Sequence, residues 1–130
     1  MGRHTFEKVL TFDGWPYSKH KVVVLSSRAI TIPPQVSDSV ELLSSAPHEV
    51  VKHLAAQGAK HMYVDGGKTI QRFLNAGLIN ELIITRIPIL IGDGIPLFGA
   101  VSRDIKLKHL ETRSFENGFV QSRYCIPTSV

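Results

Sequence analysis

The sequence predicts an α/β fold: a mixed, mostly parallel sheet flanked by helices, with an antiparallel hairpin near its C-terminal end. Three observations carry this. Short β-branched runs (KVVVLSS, HMYVD, ELIITRIPILIG) alternate with segments of helical period (SAPHEVVKHLAAQG, GGKTIQRFLNAG), the order that sets helices between parallel strands. Gly58 and Gly77 follow the two helical segments, where a left-handed C-terminal cap belongs. The last third alternates apolar and polar residues on either side of Glu116, Asn117 and Gly118, the mark of a hairpin turning on Asn-Gly.

Each element has its own justification along the chain. Thr5 to Val9 show a short helical pattern that ends before TFDGWPYSKH, where Asp13, Gly14 and Pro16 supply turn chemistry. KVVVLSS is a β-branched run bounded by polar residues and reads as a buried strand. ITIPPQVSDS, with adjacent prolines, reads as an extended connector. In the first long helix Pro47 occupies a first-turn position and Glu49 complements the positive helix end. Its apolar face is Val50, Val51, Leu54 and Ala55. HMYVD follows as a strand. The next helix has the stripe Ile70, Phe73 and Leu74, and the strand ELIITRIPILIG bends at Pro88. GDGIPLF is a loop, and DIKLKHLETRSF and FVQSRYCI form the hairpin.

With 130 residues, 43% of them hydrophobic and 20% charged, the chain fits one domain, residues 1–130, able to bury a core without staples. No apolar run nears the ~20 residues needed to span a bilayer, and residues 1–12 lack the apolar core of a secretory leader. Cys125 is the lone cysteine, so no internal disulfide forms and a cytoplasmic location is expected. The net charge is +4, and five basic against two acidic residues put +3 of it in residues 1–28. Anionic partners are favoured, but no basic run or interleaved aromatic pattern suggests nucleic acid.

Three stretches combine groups suited to phosphate. VDGGKT passes from a strand through two glycines into a helix, where backbone N–H groups and the helix dipole favour an anion. GRHT adds a glycine, the planar donor Arg3 and the hydroxyl of Thr5. LSSR ends a strand with Ser26 and Ser27, followed at once by Arg28. Each alone is a weak signal, since a tight turn or a capped helix explains it as well; their joint presence at loop ends carries the functional reading.

These segments, MGRHTFE, VVVLSSR, VDGGKTIQRFL and LIITRIPILIGDGIPLF, together resemble the dihydrofolate reductase-like superfamily. The resemblance is greatest to bacterial reductases related to the C-terminal reductase domain of the riboflavin-biosynthesis deaminase-reductase. It spans nearly the whole chain and implies an NADPH-dependent reductase acting on a C=N or C=O bond of a small heterocyclic, pterin- or pyrimidine-like substrate. By the same resemblance Gly2, Arg3, His4 and Thr5 contact the cofactor phosphates. Arg3, Ser26, Ser27 and Arg28 surround the 2′-phosphate, Gly66, Gly67, Lys68 and Thr69 cradle the pyrophosphate, and Ile70 lies near the nicotinamide ribose.

The family pattern begins with a central first strand, a mobile loop and a helix that have no counterpart here, so a chain N-terminally truncated relative to the family is expected and no catalytic acid or base is assigned. Unpaired backbone beside a missing central strand costs on the order of 1–3 kcal/mol per buried group, and a homodimer is expected. The alternative is a non-catalytic, truncated NADP(H)-binding relative. A metal site is not expected: in HEVVKH, His48 and His53 are five apart and diverge by about 140° on a helix. Trp15 reads as core packing or as a loop aromatic beside the cleft, and Tyr17 and Asp13 are groups able to handle protons. Cys125 reads as a small buried residue, and no serine lies in a nucleophile elbow.

Overall fold

The computed structural model describes residues 1–128. The chain runs α1 (Arg3–Val9), β1 (Val22–Leu25), β2 (Val40–Leu43), α2 (Pro47–Ala56), α3 (Gly67–Asn75), β3 (Glu81–Arg86), β4 (Lys108–Ser114) and β5 (Val120–Cys125). The mixed α/β class is as expected, but its strands fall into two sheets. β1 and β2 pair in parallel, Val22 against Val40 through Leu25 against Leu43. β3, β5 and β4 form an antiparallel sheet in that order.

β1 is continuously apolar because both its faces are covered. Val22 and Val24, with Val40 of β2, pack against Phe6 of α1 and Val36 of the connector. Leu25 faces the other way, onto Val50 of α2 and Phe73 of α3, with Val23, Leu43, Leu54 and Val64 around it. Phe6 and Val24 are the most completely buried side chains. The connector read from ITIPPQVSDS therefore contributes Val36 to a core, and the sequence reading passed over β2, which starts just beyond it.

Local signals set the helix ends. Pro47 is at the first turn of α2. At the end of α2 Gly58 N donates to Ala55 O and Ala59 N to Leu54 O; after α3 Gly77 N donates to Leu74 O and Leu78 N to Phe73 O. Both pairs are Schellman bonds, which satisfy carbonyls the helix leaves open. Val50 is buried on α2 while Ala55 is exposed, so the apolar face is narrower than the sequence suggested.

β3 stops at Arg86, ahead of Pro88, instead of running on to Gly92; proline has no N–H to continue a ladder. The hairpin forms as expected, with Gly118 N bonded to Phe115 O and Phe115 N to Phe119 O. Gly118 has φ 87°, the left-handed position that closes a three-residue hairpin loop.

HMYVD is the expected strand that carries no ladder. Residues 60–64 run without a backbone hydrogen-bond partner among the described residues, because a strand exists only where a neighbour meets its N–H and C=O groups. A groove of about 970 Å³ runs between β1 and residues 61–65. At its end Met1 N donates to Val23 O at 2.8 Å, Leu25 N donates to Met1 O at 2.8 Å, and Gly2 bridges Leu25 in parallel. The opening residues thus extend the parallel sheet by one short strand before α1 begins.

Candidate functional site

The pairing of Gly2 with Leu25 sets the start of α1 beside the carboxyl end of β1, next to Ser26. α3 starts at Gly67, with Gly66 as its N-cap, after the extended stretch 61–64. The two helix starts touch. A Cβ on Gly66 would come within 2.6 Å of Thr5 Oγ1, and one on Gly2 within 2.8 Å of Thr69 Oγ1. Gly66 also has φ 94°, a conformation that a side chain resists. Both glycines are therefore required for the first turns of α1 and α3 to lie side by side, and Thr69 is buried at the crossing.

Asp65 Oδ1 accepts from Gly66 N at 2.8 Å, so the residue before the glycines fixes the turn. Neither helix has a side-chain N-cap. Beyond Gly66, the N–H groups of Gly67, Lys68 and Thr69 have no backbone partner among the described residues. Free first-turn donors of this kind suit an anion. A Cβ on Gly67 would sit in ordinary contact with Leu97 O and Pro96 O, 3.7 and 3.8 Å away.

Arg3 and Arg28 line a second cavity of about 350 Å³ together with Phe6, Glu7 and Ile30. Arg3 Nη1 donates to Glu7 Oε1 at 3.0 Å and Nη2 lies 2.9 Å from His4 Nε2, which must then accept. Among the described residues Arg28 has no ion-pair partner. Ser26 Oγ donates to Arg28 O and accepts from Arg28 N, both at 3.0 Å, so this hydroxyl closes its own turn. Ser27, His4 and Lys68 are exposed; Ile70 is half-buried. The structure therefore brings Gly2, Thr5, Gly66 and Thr69 into direct contact and sets Arg3 and Arg28 on one cavity.

The 970 Å³ groove is lined by Tyr17, His20, His61, Tyr63, Asp65 and Thr69 over an apolar floor that includes Val23 and Phe73. The Tyr17 phenol is pushed above its ordinary value, first by burial and then by the Asp65 carboxylate and the Tyr63 phenol. Sequence reasoning passed over Asp65, whose place directly before two glycines was the available signal. Trp15 packs edge-on against Phe6 and Tyr17, with ring centroids 5.9 and 5.3 Å away, and belongs to the core around Val24. Cys125 is half-buried in β5, and Asp13 is exposed in its loop. His53 of the HEVVKH stretch binds Glu41 Oε1 at 2.9 Å.

Comparison with known proteins matches this arrangement to others. The profile of the RibD C-terminal domain matches residues 11–121. The uncharacterized Bacillus subtilis protein YyaP is 38% identical over 77 residues, 58% of this chain and 41% of YyaP. The uncharacterized YwjB of the same bacterium is 29% identical over 119 residues, 88% of this chain and 66% of YwjB. The chain thus spans less than two thirds of both curated relatives. Among solved structures, a putative riboflavin biosynthesis protein from Shewanella sp. PV-4 superposes with a TM-score of 0.90 at 39% identity, over 98% of this chain and 72% of that one. A pyrimidine reductase-like protein from Corynebacterium diphtheriae superposes with a TM-score of 0.60 at 22% identity, over 82% of this chain and 50% of that one. The second likeness is one of fold.

Proposed function

The chain belongs to the RibD C-terminal domain family, and on that footing we propose that it is an NADPH-dependent reductase of a small heterocyclic, pterin- or pyrimidine-like substrate. The observation that carries this is the crossing of two glycine turns, Gly2 against Thr69 and Gly66 against Thr5, next to a cavity with two arginines. NADPH, when bound, supplies a hydride to the carbon of a C=N or C=O bond, and a proton completes the reduction.

The chain's own residues have distinct parts in this reading. Gly67, Lys68 and Thr69 offer first-turn N–H groups to a diphosphate. Arg3 and Arg28 offer guanidinium donors to a phosphate monoester, the group that separates NADPH from NADH. Thr5 and Thr69 hold the two turns together, while Ser26 shapes the bend that presents Arg28. The 39%-identical Shewanella protein, a putative riboflavin biosynthesis protein, supports a heterocyclic substrate. Exposed Ile89, Leu90, Ile91 and Ile95 support association of two copies, since a run of apolar residues left in water is an interaction surface. The lone half-buried cysteine fits a cytoplasmic location.

The test is nucleotide binding by Arg3→Ala. NADPH affinity should fall about tenfold or more, the weight of a charge-assisted hydrogen bond, while NADH affinity barely changes. Equal losses for both would remove the argument for the 2′-phosphate. Consumption of NADPH at 340 nm with pterin or pyrimidine substrates separates a reductase from a non-catalytic NADP(H)-binding relative, which would bind without turnover.

A further inference from the structure

We infer that Gln71 and Asn75 are positioning residues that hold residues 94–102 as one wall of the dinucleotide site. This deepens the reductase reading and rests on it. The loop follows β3 and carries no regular structure, yet it meets α3 at three points. Gln71 Nε2 donates to Leu97 O at 3.3 Å. Ser102 N donates to Asn75 Oδ1 at 2.8 Å, and Asn75 Nδ2 reaches Ala100 O at 3.5 Å. Gln71 and Asn75 are one helical turn apart and share a face, so the two amides act as successive clasps along α3. The Asn75 amide faces an N–H and a carbonyl of the loop at once, as a neighbouring strand would.

The clasps have a consequence at the helix start. Leu97 O and Pro96 O lie 3.7 and 3.8 Å from the place a Cβ would take on Gly67. Two carbonyl acceptors therefore stand beside the free N–H donors of α3. Donors favour phosphate oxygens; carbonyls repel them and favour a hydroxyl or amide N–H. A diphosphate flanked by ribose hydroxyls satisfies both sides, whereas a triphosphate sets a further anion against the carbonyls. The wall thus selects a dinucleotide over a nucleoside triphosphate. Gly99 belongs to the same device, because an added Cβ there would overlap the Gln71 amide and the residue has φ +48°.

The test uses Gln71→Ala, Asn75→Ala and the double variant, with Asn75→Asp as the conservative control that keeps the Ser102 acceptor. Hydrogen exchange of the ligand-free protein should show faster exchange across residues 95–102 in the alanine variants, with α2 and β1 unchanged. NADPH affinity should fall about threefold to tenfold per clasp, the weight of a neutral hydrogen bond, with ATP affinity unchanged or raised. Asn75→Asp should restore most of the exchange protection at Ser102. Unchanged exchange would overturn the clasps. Faster exchange with NADPH and ATP affinities both unaltered would overturn the wall. Failure of the unsubstituted protein to bind NADPH would instead sink the reductase reading, and the exchange result would still decide whether the clasps exist.

Discussion

The parallel and antiparallel parts of this molecule solve the same problem differently. β1 and β2 are covered on both faces, by α1 and the connector on one side and by α2 and α3 on the other, and Val22, Val24, Leu25 and Val40 are buried between these layers. The sheet of β3, β5 and β4 packs far less: every residue of β4 is exposed, and Ile83, Leu110 and Val120 are 52%, 42% and 39% accessible. Both sheets are built on hydrogen-bonded ladders, so the ladder alone does not explain why one part is a core and the other a surface. What differs is whether helices cover the faces, and it follows that stability is concentrated in the N-terminal part.

Truncation of one side chain in each part is the strongest way to break that contrast. Phe6→Ala should cost about 3–5 kcal/mol, as large cavities do, a major share of the 5–15 kcal/mol typical of a domain. Leu110→Ala, on the exposed sheet, should stay within about 0.5 kcal/mol. Urea unfolding with tryptophan fluorescence gives both, because Trp15 touches Phe6. A Leu110→Ala loss near that of Phe6→Ala would mean that the antiparallel face is covered in solution, and it would favour two copies packed through that sheet.

The same contrast explains what the sequence could reveal. α2 and α3 were readable because Pro47, Gly58 and Gly77 act within a turn of their own positions, and the hairpin because its turn chemistry is local. β2 was hidden by its charge: Glu41 faces Lys21 and His53 on the surface and breaks the apolar run. HMYVD has a strand's composition, but pairing depends on a neighbour that its own residues do not encode. Alternation in DIKLKHLETRSF predicted a strand correctly, yet no face of it became buried, since alternation says which residues share a side and not what covers that side. At the site, glycines in GRHT and VDGGKT exposed the turns. Gln71 and Asn75 gave no signal, because their partners lie 25 to 27 residues further along the chain.

A second contrast separates two adjacent glycines. Gly66→Ala meets Thr5 Oγ1 at 2.6 Å and a positive φ, so it should cost about 1–3 kcal/mol. Gly67→Ala has ordinary space and a helical conformation, and should leave stability within about 0.5 kcal/mol, or raise it. Binding should reverse the order of effect per unit of stability lost: the Gly67 methyl group adds bulk beside the free N–H groups of the first turn of α3 and should weaken NADPH in a protein that remains folded. Thermal melts and fluorescence titration on both variants decide this. If Gly67→Ala binds NADPH as the unsubstituted protein does, the first turn of α3 is not the phosphate seat.

The smallest expected effect compares one paired carboxylate from each part. Lys21 and His53 hold the Glu41 carboxyl below its ordinary value, chiefly through hydrogen bonds. Arg123 does the same to Glu81 through a two-pronged contact at 2.8 and 3.1 Å. Because both folded values are depressed, each carboxylate contributes stability in full above the ordinary value of 4.5. That contribution is lost as pH falls through the lower folded value. Glu41→Gln and Glu81→Gln should therefore be less stable than the unsubstituted protein near about pH 7 and converge with it once pH lies below the lowered folded value. Exposure keeps the Glu41 effect below about 1 kcal/mol. Glu41→Gln should still be the larger, since Glu41 ties β2 to both Lys21 and α2, whereas Glu81 and Arg123 join strands already paired in a ladder. Denaturant midpoints in the two pH ranges measure the difference, and a deficit that survives at low pH would assign these contacts to packing, not to charge.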